Sequence, residues 1–531
     1  MSRGLERSVR NRLLLLLLFL ATGPPVGPSC APADKGSSGE GLEQVLAKVR
    51  GATGFEALRE MAGGVLVEGS ASFAGTEAAF TLRFAPGGEF VERIVGPLSL
   101  ATGFDGATAW SVDFSGMPRA LALREREVAL LAAWIWTGRW LAEDGPLAIS
   151  PAPGAGPLSL AFRLKGGVAA GRVEIDRSTF LPAQMTVGEE GNQERVRLED
   201  WRPALGFPFP HRVVRTDPEG AEMRFQVNAL APAPAAPTRP FGPPRERPAD
   251  AAFDPDVPPQ LAVHTSRTGH LLVRPLLEGE IRGSFILDTG ASGLIVSRKT
   301  AEAARLEVLG PVRARGAGGG ADAAIRRGKV LSLGPLTIRD PLYGEIDLDS
   351  MTEPLGEEIA GLLGYDLFAR AAVVIDAAQR AVELHDPGRF VLRGGEWQEL
   401  LLHEGQPCVR ARFEGNREGL FRLDSGSPRS TVTFHAPAVR ALHLLESRET
   451  SGSVARGVGG EAAVRVGRLE WFEIGGLRFE EPLTRFSLAG KGSHVDEYTL
   501  GYVGLGFLSS FRLVLDYRNG RIAFLPSGTP R

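Results

Sequence analysis

Two aspartates sit in near-identical settings 136 residues apart. An apolar strand runs into each: Ser284-Phe285-Ile286-Leu287-Asp288-Thr289-Gly290-Ala291 and Leu420-Phe421-Arg422-Leu423-Asp424-Ser425-Gly426-Ser427. One carboxylate in such a turn need do no more than accept amide hydrogen bonds. Two carboxyls held about 3 Å apart cannot both ionise, so they share a proton. The charged member then takes a proton from water while the protonated member polarises a carbonyl. That is amide-hydrolysis chemistry, and it needs both residues in one place.

The flanking sequence says how they would meet. Shifting the chain by 136 residues lays Val273, Arg274, Glu278, Gly279, Gly283, Phe285, Leu287, Asp288 and Gly290 on Val409, Arg410, Glu414, Gly415, Gly419, Phe421, Leu423, Asp424 and Gly426. Each copy reads as a strand, a Glu-Gly turn and a second strand ending at the aspartate. The correspondence returns downstream in the same order. Arg315-Gly316-Ala317-Gly318-Gly319 matches Arg456-Gly457-Val458-Gly459-Gly460, and Ser332 to Leu336 matches Glu473 to Leu477. Gly361-Leu362-Leu363-Gly364 then matches Gly501-Tyr502-Val503-Gly504, each followed twelve residues later by an aspartate, Asp376 or Asp516. Blocks in one order predict a duplicated lobe of roughly 130 residues, a usual size for a compact unit. Asp376 and Asp516 close apolar runs and read as turn residues.

This ordered set of Asp-Thr-Gly-Ala, a glycine-rich hairpin and an apolar-apolar-Gly segment resembles the aspartic proteases of the retropepsin and pepsin type. The resemblance implies two mostly antiparallel β lobes, 261–389 and 390–527, related by a pseudo-twofold axis. It implies that Asp288 and Asp424 are the catalytic pair on the floor of a cleft. By the same resemblance, Thr289 and Ser425 hydrogen-bond across to the opposite lobe and lock that pair. Gly316, Gly318 and Gly319 in one lobe, and Gly457, Gly459 and Gly460 in the other, match the flap hairpins that close over substrate. Gly361 to Gly364 and Gly501 to Gly504 match the segments beneath the catalytic turns. Gly290 and Gly426 let backbone amides come close to the carboxylates.

Ala291 follows the first glycine, as in retropepsins, whereas Ser427 follows the second, as in pepsins. A Ser427 hydroxyl donating to Asp424 would favour the charged form, making Asp288 the expected holder of the shared proton. Arg422 breaks the second apolar strand, and Pro428 stands where the first lobe has Ser292. No pepsin-like flap tyrosine is apparent, so the chain is closer to a fused retropepsin dimer. The implied activity is endopeptidase hydrolysis of an extended polypeptide by a monomer with an internal pseudo-dimer, without a cofactor. Two alternatives stay open: a protein that binds peptide on this fold without cutting it, and a lipid or lipoprotein carrier acting through the N-terminal region.

The remaining sequence places this unit in context. Arg3, Arg7, Arg10 and Arg12, then Leu13 to Ala21, then a small and proline-rich exit make 1–30 an expected export signal, implying a periplasmic or cell-surface protein. Cys30 is the candidate for lipid attachment and a membrane tether, and 31–40 reads as a flexible linker. Cys408 reads as a small core residue, and two cysteines make no disulfide framework. The formal net charge of −3 gives no basis for nucleic-acid binding. His264 and His270 lack a second ligand pair, so no metal site is expected.

Residues 41–230 alternate strand-like runs with helices at Leu42 to Val49, near Phe55 to Met61 and at Arg124 to Trp140. On Ala52 to Leu58, the Asp105-Gly106 turn before Trp110, and Thr179 to Pro182, the region resembles periplasmic lipoprotein-carrier and lipoprotein-sorting proteins. The resemblance implies an α+β domain in which a curved antiparallel sheet wraps over helices. Trp134, Trp136 and Trp140 would then line a lipid groove or, as aromatics at helical spacing more often do, the core. The proline- and alanine-rich stretch 231–260 reads as a semi-extended spacer between the halves. The fold class is mainly β.

Overall fold

A computed structural model describes residues 41–61, 63–152, 158–188, 193–234, 239–316, 319–428, 432–457, 460–490 and 492–527. The expected export signal, Cys30 and the expected linker 31–40 lie outside these residues, as do Gly318 and Gly459.

Alternating burial builds the N-terminal sheet. In Thr76–Phe84, every second residue from Thr76 to Phe84 is buried while its neighbours are less so, the period of a strand with one covered face. Thirteen such strands form one antiparallel sheet, with Val65–Phe73 beside Glu222–Pro232 in the middle and Pro118–Ala120 and Leu147–Pro151 at the edges. The helix Leu123–Thr137 bridges those edges. Its second half is buried continuously from Leu130 to Thr137, as expected for a helix that is apolar all round. Trp136 packs edge-on against Phe225 at 5.3 Å and tilted against Phe80 at 5.7 Å. Trp134, Trp136 and Trp140 are therefore core residues, 8, 3 and 2 % exposed. The helix stops before Trp140 because Gly138 turns left-handed at φ 73°, which ends it.

The expected spacer is not free. Glu222–Pro232 carries the N-terminal sheet into it, and Ala251–Phe253 forms an edge strand on Leu336–Arg339 of the first lobe. Between them, the Phe241 carbonyl accepts the Trp110 indole N–H at 2.8 Å. Proline removes backbone donors but is tolerated at edges. The proline-free Ala251-Ala252-Phe253 is the stretch with amides left to pair.

Both protease-like lobes are β units, and their facing edges share a sheet. Ala372–Asp376 pairs antiparallel with Phe511–Asp516, flanked by Ala381–His385 and Arg521–Pro526. Asp376 ends one strand, its Oδ1 accepting the Gln379 amide and the Ser527 hydroxyl. Asp516 ends the other, accepting from Asn519 and Arg521. Both are turn residues.

Candidate active site

Each aspartate turn is set by three strands. Ser284–Leu287 runs parallel to Ile359–Leu363, and Leu294–Ser297 returns antiparallel on the other side of that strand. The second lobe repeats the arrangement: Arg417–Asp424 lies parallel to Gly501–Gly504, with Val432–Phe434 antiparallel beyond it. The chain must cross over the end of the central strand, and the aspartates sit at those crossings. Phe285, Ile286 and Leu287 are at most 1 % exposed, each such burial stabilising by roughly 1.5–3 kcal/mol. Behind Asp424, Phe421 stands edge-on to Phe413, Phe434 and Phe472 at 5.1–6.1 Å. From below, Leu363 accepts the Asp288 amide at 3.0 Å, and Ser427 accepts the Leu505 amide at 3.0 Å.

Four reciprocal hydrogen bonds tie the turns together. Thr289 Oγ1 donates to the Leu423 carbonyl at 2.7 Å and accepts the Ser425 amide at 2.9 Å. Ser425 Oγ donates to the Leu287 carbonyl at 2.8 Å and accepts the Thr289 amide at 2.9 Å. Both hydroxyls are buried, so each bond is shielded from competing water.

The carboxylates meet at the glycines. A β-carbon built on Gly290 would lie 2.8 Å from Asp424 Oδ1 and 3.1 Å from Asp288 Oδ1. One built on Gly426 would press within 2.5 Å of the Asp288 carboxyl carbon. Both aspartates thus border the same small space, and any side chain at 290 or 426 would invade it. Gly290 N donates to Asp288 Oδ1 at 2.8 Å.

Burial raises both acids. For Asp288 it is opposed by the amides of Gly290, Gly426 and Ala291. For Asp424 burial and then the Asp288 charge push the value to about 8, with the Gly426 amide and Arg422 acting against it. Burial and mutual repulsion thus favour one shared proton on the pair, and the amides favour the anion at Asp288, against the expectation that Asp288 holds it. Two features work against that expectation. Three amides favour the Asp288 anion, and the Ser427 hydroxyl is engaged with the Tyr502 phenol.

Two residues at the site were not assigned to it by sequence: Gln406 was not named, and His270 was considered only as a metal ligand. His270 Nε2 lies 3.1 Å from the Gly426 carbonyl oxygen, and Gln406 Nε2 donates to the Gly290 carbonyl at 2.7 Å. Each reaches from one lobe to the glycine of the aspartate turn of the other. The signal was present: extending the 136-residue alignment three positions upstream of Val273 places His270 on Gln406. His264 has a different setting, with Nε2 3.2 Å from the Glu357 carboxylate. Cys408 is buried, and burial pushes its thiol up to about 12.

The glycine-rich segments form hairpin ends. Gly316 and Gly319 are the last paired residues of Glu307–Gly316 with Gly319–Arg327, and Gly457 and Gly460 close Ser451–Gly457 with Gly460–Arg468. Ala314 and Ala323 of the first hairpin pack, as Ala291 and Ile295 do, against a cluster that includes Leu272, Ile286 and Leu362. The same hairpin borders a cavity of about 980 Å³, with Pro311, Val312 and Ile325 opposite Leu100, Val128 and Met223 of the N-terminal sheet. Arg422 is buried, its Nη2 bound by Asp496 at 2.9 Å and Glu404 at 3.1 Å. It is accommodated by charge pairing between the apolar Phe421 and Leu423. Pro428 lies against Gly269 of the first lobe, 3.6 Å from a β-carbon built there.

Residues 275–367 match the family model described as aspartyl protease. No curated protein matches the chain. Among solved structures, it is similar to a retropepsin-like aspartic protease from Rickettsia conorii, at 14 % identity and TM-score 0.19, covering 25 % of this chain and 96 % of that one. It is similar to an aspartic proteinase from Irpex lacteus at 14 % identity and TM-score 0.32, covering 51 % and 97 %. The LolA superfamily protein NE2245 from Nitrosomonas europaea shares 14 % identity at TM-score 0.26, covering 35 % and 96 %.

Proposed function

We propose that this protein is an exported aspartic endopeptidase that hydrolyses peptide bonds with a water held between Asp288 and Asp424. The carrying observation is the convergence of both carboxyls on Gly290, locked by the reciprocal Thr289 and Ser425 bonds. Asp288, favoured as the anion by its amides, takes the water proton. Asp424, holding its proton by burial, polarises the scissile carbonyl. The hairpins ending at Gly316 and Gly457 supply backbone above an extended substrate strand. Because both aspartates lie in one chain, the enzyme works as a monomer. Incubation with a peptide library tests this: defined cleavage sites, blocked by a statine-type transition-state mimic, are expected. Binding of the mimic and of peptides without any cleavage would instead support a non-catalytic peptide-binding role.

The apolar cavity beside the first hairpin favours a second role, carriage of an apolar ligand by the N-terminal region. Native mass spectrometry of the purified chain would reveal a bound acyl species, and a ligand-free mass would count against it.

A further inference from the structure

The N-terminal domain reaches the catalytic turn through a continuous polar path. Its bridging helix carries Glu125, whose Oε2 accepts the Glu404 backbone amide at 2.7 Å. Glu125 is itself fixed by a two-pronged contact from Arg119. The Glu404 carboxylate, with Asp496, holds one arm of the Arg422 guanidinium; the other arm, Nη1, donates to Gln406 Oε1 at 2.8 Å. The Gln406 amide is then oriented from both ends. Its oxygen faces an obligate donor and its nitrogen faces the Gly290 carbonyl at 2.7 Å, so a flipped amide would lose both bonds.

What Gln406 holds is a peptide plane. The Gly290 oxygen and the Ala291 N–H belong to one rigid unit and point opposite ways. The Ala291 N–H donates to the Asp288 backbone carbonyl at 3.2 Å and is also one of the three amides that favour the Asp288 anion. Fixing the oxygen therefore fixes that amide inside the Asp288 turn, beside the carboxylate that the Gly290 amide meets at 2.8 Å. The mirror contact from His270 to Gly426 is anchored within the first lobe, by Thr268 Oγ1 at 2.7 Å. The path from the N-terminal domain through Gln406 ends on the Asp288 turn.

We propose that Glu125, Arg422 and Gln406 are positioning residues through which the N-terminal domain holds the Gly290–Ala291 peptide in the orientation the dyad requires. The domain is thereby a working part of the active site. This rests on the reading of Asp288 and Asp424 as the hydrolytic pair.

The test uses full-length Gln406→Met and Glu125→Ala. With active sites counted by a tight-binding statine-type peptide, each should lower kcat by roughly 10- to 100-fold, with KM changed by less than about threefold. The acid limb of the pH–rate profile should move to higher pH. The double variant should lose little more than the worse single one, as expected for residues acting on one path. Glu125→Gln, which keeps an acceptor for the Glu404 amide, should restore most of the rate. Amide exchange across 289–294 should speed up in both single variants, a readout independent of turnover. Unchanged exchange in that loop, or additive losses in kcat with a fixed pH profile, would overturn the inference. A wild-type chain that cleaves no peptide would remove the hydrolytic reading instead, leaving loop exchange to decide the positioning claim.

Discussion

Asp424 and Asp288 have nearly the same sequence setting, but the fold surrounds them differently. With Asp424 pushed to about 8, hydrolysis should persist to neutral pH and fall on an alkaline limb near that value. The acid limb marks ionisation of Asp288, above the usual carboxylate range. These limbs belong to the pair as a unit. The same shift governs stability. A carboxyl whose folded pKa is raised binds its proton more tightly in the folded chain, so its contribution is complete below about pH 4 and lost as pH rises through about 8. Asp424→Asn should therefore melt roughly 3 °C or more above wild type at pH 8 and close to it at pH 4, read by calorimetry. The two Asp-X-Gly tripeptides were legible in the sequence. The proton's location was not, since it depends on which amides point inward and on Ser427 turning toward Tyr502.

At the level of elements, the sequence shows the strands that end at each aspartate but not what fastens one turn to the other. The fastening is side chain to main chain across lobes, and its energetics follow from burial. Thr289→Ala strips the buried Ser425 amide and Leu423 carbonyl of their partner, and should cost about 2–4 kcal/mol in urea unfolding. Thr289→Ser keeps the hydroxyl and should stay within about 1 kcal/mol of wild type. His270 and Gln406 illustrate the limit of motif reading. They lie upstream of the conspicuous alignment and act on the opposite lobe, a relation invisible along one strand. The segment 231–260 misled for a related reason: its prolines announce an extended chain, but a short proline-free stretch found an open sheet edge.

Across the whole molecule, the N-terminal domain and the lobes pack as one unit over 42–531. Arg370, 5 % exposed, joins Asp366 of the first lobe to Asp250 and to the Ser115 carbonyl of the N-terminal domain. Tyr498 of the second lobe donates to Glu127 of the bridging helix at 2.9 Å. Replacing Arg370 with Leu leaves two carboxylates without their cation and should cost about 3–5 kcal/mol. Wild type should melt in one transition, and Arg370→Leu should separate the two halves into two. Composition announced a β protein of several parts. It did not announce their contact, because the contacting residues are isolated charges scattered through otherwise ordinary loops and helices.

The most direct measurement is the rate of peptide hydrolysis by wild type, Asp288→Asn and Asp424→Asn, each confirmed folded by calorimetry. A shared water predicts cleavage by wild type and a loss of roughly 10⁴-fold or more in both variants alike. Turnover within about tenfold of wild type in either variant would contradict the shared site.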